Sequence, residues 1–136
     1  MTRATCETPD TAPVSHSIPV RVYYEDTDAG GIVYHASHVR FFERGRTEFL
    51  RALGVNQIDL ANDGPGLLFA VRRMEVDYLR AARLDDLLTV TTSVCSFGGA
   101  RMTMKQVLAR GDEPIATAVV TIVGITREGR ARRIPD

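Results

Sequence analysis

Residues 35–54 read HASHVRFFERGRTEFLRALG, and the spacing within them decides the architecture. Val39, Phe42, Phe49, Leu50 and Leu53 recur at three- and four-residue intervals, while Arg40, Glu43, Arg44, Glu48 and Arg51 lie largely elsewhere around the turn. The pattern predicts one amphipathic helix of roughly four to five turns. Ser37 is its candidate N-cap and Gly54 its candidate C′ glycine. Gly45, inside the helix, lowers its propensity by about 1 kcal/mol relative to alanine, which is explained if another backbone packs closely there.

Outward from this helix the chain changes character. VNQIDLANDGPG (55–66) has room for one more helical turn before its Gly-Pro-Gly breaker. LLFAVRRMEVDYL (67–79), DDLLTVTTSVCSF (85–97), ARMTMKQVLAR (100–110) and PIATAVVTIVGIT (114–126) are long β-branched or alternating runs, separated by AARL, GG and GDE. Those connections are too short for crossover helices, so the last three strands are expected to form an antiparallel meander. Upstream, VRVYY (20–24) reads as a first strand running into the polar loop EDTDAGG (25–31). The order strand, long helix, four strands is an α+β pattern with one helix to cover one sheet face. In the final run, Ile115, Val119, Val123 and Ile125 on one face and Ala116, Ala118, Val120 and Ile122 on the other are all apolar. One helix cannot cover both faces, so at least a homodimer is expected.

Composition fits a single ordinary domain: 136 residues, 44% hydrophobic, with 17 basic against 17 acidic residues. Zero formal net charge supplies no general attraction to nucleic acid or anionic membrane. No run approaches the length of a membrane span, and MTRATCETPDTAPVSHS (1–17) lacks the apolar segment of a secretory signal. The expectation is a flexible leader over 1–17, a domain over 18–130, a solvated tail over 131–136, and a cytoplasmic location. Cys6 and Cys95 stand in no ligand-like spacing, so neither is expected to form a disulfide.

VRVYYEDTDAGGIVYHASHVRFFERGRTEFLR (20–51) and FAVRRMEVDYLRAARLDDLL (69–88) resemble the hydroxybenzoyl-CoA thioesterase family of hotdog-fold proteins, and within it the Tol-Pal-associated acyl-CoA thioesterase branch. The pattern reads here as Arg21, Val22, Thr27, Asp28, Gly31, Ile32, Val33 and Tyr34, followed by the helix. It departs at Ser37 and His38, where many members carry Asn-Tyr, and at Gly45, where alanine is usual; these positions bear on the shape of the acyl pocket. The resemblance implies a five-stranded antiparallel sheet wrapped around the long helix, with two protomers joining their sheets in a dimer whose active sites lie at the interface. It implies hydrolysis of an acyl-CoA or acyl-carrier-protein thioester, with Asp28 as the catalytic carboxylate and the backbone N–H of His35 on the thioester oxygen. Gly31, Ile32, Val33 and Tyr34 are expected beside the substrate, with Phe69, Ala70 and Val71 lining the pocket across the interface of a homodimer or homotetramer. No cofactor is implied beyond the coenzyme A of the substrate.

The chemistry fits those residue types. Thioester hydrolysis needs a carboxylate that attacks the carbonyl carbon or activates water, together with donors aimed at the developing oxyanion. A helix N-terminus supplies such donors without lysine or metal. Asp26 and Glu25 are read as orienting the loop. His35 and His38, spaced i, i+3 near the two aspartates, have metal-ligand types, but the chemistry resembled uses no metal. Arg72, Arg73, Arg80, Arg83, Arg101 and Lys105 are either a solvated sheet face or phosphate contacts for coenzyme A. The competing reading is an acyl-thioester-binding or adaptor protein of an envelope or lipid-synthesis complex with little turnover. A hydratase is disfavoured because those enzymes do not present this Asp-Thr-Asp loop.

Overall fold

The computed structural model describes residues 14–135. In chain order it contains β1 (Ser15–Arg21), a 3-10 turn (Tyr24–Asp26), α1 (His35–Ala52), α2 (Gln57–Asn62), β2 (Leu68–Tyr78), β3 (Leu87–Gly98), β4 (Arg101–Arg110) and β5 (Glu113–Ile125). The strands form one antiparallel sheet in the order β1-β3-β4-β5-β2. β3, β4 and β5 are the expected meander, and β2 adds at the far edge against β5.

Alternation along the strands makes one face apolar. Leu88 and Val90 of β3, Met104 and Leu108 of β4, and Ala116, Ala118 and Val120 of β5 are buried on it. α1 lies over this face, packing on β1, β3 and β4, and buries Phe41, Phe42, Phe49 and Leu50 in the same cluster. Each such side chain contributes roughly 1.5–3 kcal/mol by leaving water, so the helix is held by its apolar stripe. Thr117, Val119, Thr121, Val123 and Ile125 point to the other side and stay half-buried. Within one protomer β5 is therefore fully covered on one face only.

Several local expectations are corrected. The first strand spans Ser15–Arg21 rather than 20–24, because β3 offers partners back to Ser93, which pairs with Ser15. It ends early because the Asp26 carboxylate accepts the Tyr23 N–H at 2.8 Å and closes the 3-10 turn. β1 thus opens inside the stretch assigned to the leader. The stretch assigned to the tail docks on the sheet. Arg132 N–H donates to the Gly124 carbonyl at 2.8 Å and Ile134 N–H to that of Gly99 at 3.0 Å, while the Ile134 side chain joins the core.

Ser37 is not the N-cap of α1. Tyr34 holds that position without a side-chain cap bond, and Ser37, buried in the first turn, donates its hydroxyl to the Asp26 carbonyl at 3.1 Å. The C-terminal glycine is as expected: Gly54 has φ +86°. Gly54 N–H reaches the Arg51 carbonyl at 3.0 Å and Val55 N–H that of Leu50 at 2.9 Å, a Schellman ending. Gly45 faces side chains rather than another backbone. A Cβ there would lie 2.5 Å from Val90 Cγ1, 3.0 Å from Thr92 Oγ1 and 3.1 Å from Gln106 Nε2. Cys95 is disulfide-bonded, against expectation; Cys6 lies outside the described residues.

Candidate active site

The loop between the 3-10 turn and α1 is closed by its own backbone. Asp28 N–H donates to the Ile32 carbonyl at 2.9 Å and Gly31 N–H to that of Asp28 at 3.0 Å, with Gly31 at φ +80°, a conformation glycine adopts without penalty. A bridge between Thr27 and Val33 ties the loop's ends, and Ile32 bridges Arg83. Val33 N–H donates to the Ala82 carbonyl at 2.8 Å, and the Val33 side chain is buried. The loop is therefore docked on the connection between β2 and β3.

From this frame the Asp28 carboxylate faces solvent, its Oδ1 accepting the Gly30 N–H at 2.8 Å. A Cβ on Gly30 would approach that oxygen to 3.2 Å, so glycine keeps the carboxylate uncrowded. Asp26 is the opposite case. It is 3% exposed, its carboxylate takes the Tyr23 N–H and stands 3.4 Å from Arg40, and its carbonyl accepts the Tyr34 N–H at 2.8 Å. Arg40 also donates to the Ser37 hydroxyl at 2.9 Å. These bonds fasten the start of α1 to the turn before it.

The loop delivers the chain directly into α1, whose first residue is His35. The opening N–H groups of an α-helix have no partner inside it and sit at the positive end of its dipole. The ring of His35 lies tilted by 50° against that of Tyr34 with centroids 4.4 Å apart, and the His35 carbonyl accepts the Tyr78 hydroxyl at 2.9 Å. His38 is 4% exposed, with Nδ1 3.2 Å from the carbonyls of both Tyr34 and His35 and its ring edge-on to Tyr78 at 4.9 Å. Burial pushes the His38 pKa down, partly opposed by those two carbonyls and reinforced by the His35 charge. A cleft of about 270 Å³ opens here, lined by Ile32, Val33, His38, Tyr78, Leu79 and Ala82 among others.

The sequence expectations therefore divide. Asp28, Gly31, Ile32, Val33, Tyr34 and His35 form one continuous loop and helix start. Phe69, Ala70 and Val71 do not join them within a protomer. They lie at the opposite end of β2 from Tyr78, and the nine-residue separation of Phe69 from Tyr78 is about 30 Å of strand. Val71 is exposed on the edge strand. Tyr78 and Arg40 contact the start of α1 and its loop without having been singled out in the sequence: nothing in the alternation of β2 distinguishes Tyr78, and Arg40 reads as one of several solvated helix charges. Of the cations weighed as phosphate contacts, Arg73 pairs with Glu75 at 2.5 Å and Arg80 lies 3.9 Å from Glu113. Among the described residues no three or more His, Cys, Asp or Glu side chains converge as metal ligands, so His35, His38, Asp26 and Asp28 do not assemble as a ligand set. No helix among them is long and apolar enough to cross a membrane.

Residues 22–136 match the family model of the thioesterase-like superfamily. An acyl-CoA thioesterase YbgC of Haemophilus influenzae is 49% identical over 106 residues, 78% of this chain and 77% of that protein. An acyl-CoA thioester hydrolase YbgC of Escherichia coli is 44% identical over 105 residues, 77% of each chain. The crystal structure of a probable thioesterase from Bartonella henselae superposes with TM-score 0.87 at 45% identity, covering 90% of this chain and 100% of that one. The antiparallel sheet around one long helix is thus the hotdog arrangement the resemblance implied.

Proposed function

The chain belongs to the thioesterase-like superfamily, and from that premise we propose that it hydrolyses acyl-CoA thioesters with Asp28 as the reacting carboxylate and the N-terminus of α1 as the oxyanion site. The observation that carries this reading is the solvent-facing Asp28 carboxylate, held by Gly30 N–H in a loop that runs straight into His35. The carboxylate either attacks the thioester carbonyl carbon, or takes a proton from a water that attacks it. In both routes the carbonyl oxygen gains negative charge, which the backbone N–H of His35 stabilises, and collapse of the tetrahedral species expels the coenzyme A thiolate. Attack by Asp28 leaves a mixed anhydride that water then opens to the free acid. The donors are fixed by the fold and cost no reorganisation as charge develops. Asp26, Ser37 and Arg40 position the helix start, and Tyr78 holds the His35 peptide from the strand side.

The proposed working unit is a homodimer or a larger assembly built on it. Phe69, Ala70 and Val71 lie on an edge strand, far from their own Asp28, and the outer face of β5 is half-open. Both features suit a second copy, in which these residues would line the acyl pocket of the other subunit. Acyl-carrier-protein thioesters present the same reacting group and belong to the proposed substrate class.

The test is thiol release from short aliphatic, long aliphatic and aromatic acyl-CoAs. Asp28→Asn is expected to lower the rate by at least about 10²-fold with the oligomeric mass unchanged. An unchanged rate in a folded Asp28→Asn protein sinks the assignment. Binding without turnover by the parent chain would instead identify an acyl-thioester-binding or adaptor protein. Solvent oxygen-18 appearing in Asp28 after a single turnover marks the anhydride route with water attacking the Asp28 carboxyl carbon, whereas label only in the product acid fits either activated water or opening of the anhydride at the acyl carbon.

A further inference from the structure

The peptide unit joining Tyr34 to His35 supplies the proposed oxyanion donor through its N–H, and its other end is the Tyr34 carbonyl. Two groups of the first helical turn reach that oxygen: the Ser37 N–H donates to it at 2.8 Å, and Nδ1 of His38 lies 3.2 Å away. The same Nδ1 stands 3.2 Å from the His35 carbonyl, which also takes the Tyr78 hydroxyl at 2.9 Å. A carbonyl oxygen only accepts, so Nδ1 must carry a proton for either bond to exist. The His38 ring is 4% exposed and set edge-on to Tyr78 with centroids 4.9 Å apart, which holds Nδ1 toward these carbonyls. Burial and the positive end of the helix favour the neutral imidazole, so Nδ1–H is its single donor and Nε2 its acceptor.

We propose that His38 is a positioning residue of the hydrolytic site: as the Nδ1–H tautomer it donates to the Tyr34 carbonyl and thereby polarises the peptide whose N–H serves the thioester oxygen. The inference rests on the hydrolase reading and deepens it. An amide is conjugated from its oxygen to its nitrogen, so a peptide that accepts at its carbonyl donates more strongly at its N–H. Hydrogen bonds linked in this way strengthen one another by about 10–30% each. Loss of a whole oxyanion donor costs about 10²- to 10³-fold in rate, and a tenth to three-tenths of that on a logarithmic scale is an effect of about two- to eightfold. It belongs to kcat rather than KM, because the oxygen carries its charge only as the tetrahedral species forms. Tyr78 supports the arrangement from β2, holding the next carbonyl and flanking the ring. No atom of His38 needs to touch the substrate.

Kinetics and NMR of the full chain test the proposal in the parent, His38→Leu and His38→Asn. Leucine fills the space without a donor, and asparagine returns an amide N–H near the place of Nδ1–H. His38→Leu is expected to lower kcat for thiol release from acyl-CoA about two- to eightfold with KM unchanged, and His38→Asn to restore most of it. In the free protein the Tyr34 carbonyl carbon and the His35 amide nitrogen should shift upfield together in His38→Leu and return in His38→Asn, which a packing role alone would not produce. Unchanged kcat in folded His38→Leu, an equal loss in both variants, or unmoved resonances overturns the proposal. Should His38→Leu not fold, nitrogen-15 spectra of the parent's imidazole decide: a protonated Nδ1 beside an unprotonated Nε2 is expected, and the opposite tautomer overturns it. A parent that releases no thiol defeats the hydrolase reading, and the inference falls with it; a parent that releases thiol while His38→Leu keeps its rate defeats the inference alone.

Discussion

Asp26 and Asp28 stand two residues apart in opposite surroundings. Asp26 is buried with its carboxylate satisfied by Tyr23 N–H and neighboured by Arg40, so its removal strands a donor and opens the 3-10 turn. Asp26→Ala is expected to cost about 1–3 kcal/mol of stability, read as a lowered urea midpoint. Asp28, exposed and held by one N–H of its own loop, should lose rate and keep stability when changed to asparagine; chemical denaturation beside thiol release checks both halves. His38 gives a pH signature. Its folded pKa lies below the ordinary imidazole value of 6.5 chiefly through burial, so between that lowered value and about pH 6.5 the unfolded chain binds a proton that the folded one resists. Stability should therefore fall as pH drops below about 6.5 and level off above it. His38→Asn should flatten that dependence in urea midpoints measured from pH 5 to pH 8.

At the scale of elements, α1 is decided at its two ends by different forces. Its C-terminus is a local device, Gly54 at φ +86° with both Schellman bonds made, and was legible from the glycine after the last apolar repeat. Its N-terminus is tertiary. Ser37 had the chemistry of a cap, but its hydroxyl is given to the Asp26 carbonyl, outside the helix and eleven residues away, and it also receives Arg40 from the next turn. Gly45 marks the closest seat of helix on sheet. Alanine there would gain about 1 kcal/mol of helix propensity but drive a methyl to 2.5 Å from Val90, and overpacking costs about 1–3 kcal/mol. Gly45→Ala is expected to be destabilised on balance by about 1 kcal/mol, and a melting temperature at or above the parent's would contradict this.

For the whole molecule, a single protomer leaves two features of the proposed site unresolved: Phe69–Val71 are remote from Asp28, and one face of β5 is half-open. A second copy meets both. Sedimentation is expected to show a dimer or larger species, and Val71→Asp, a charge on the exposed edge strand, should shift it toward monomer and reduce thiol release with it. A monomeric parent that hydrolyses acyl-CoA at full rate would refute the shared site.

The sequence alone determined what depends on neighbouring residues. The helix followed from three- and four-residue spacing over 39–53 and the strands from alternation and β-branched runs, because each signal lies within a few residues of itself, while the candidate loop over 21–34 was legible through its resemblance to a family pattern. Tertiary structure decided which apparently equivalent residues do what. It buried Asp26 and exposed Asp28, extended β1 back to Ser15 because β3 supplied a partner strand, docked Ile134 on the core, and brought Tyr78 onto the His35 carbonyl across 43 residues of chain. Those choices depend on contacts between segments remote in sequence, which single-strand and single-helix periodicities do not encode.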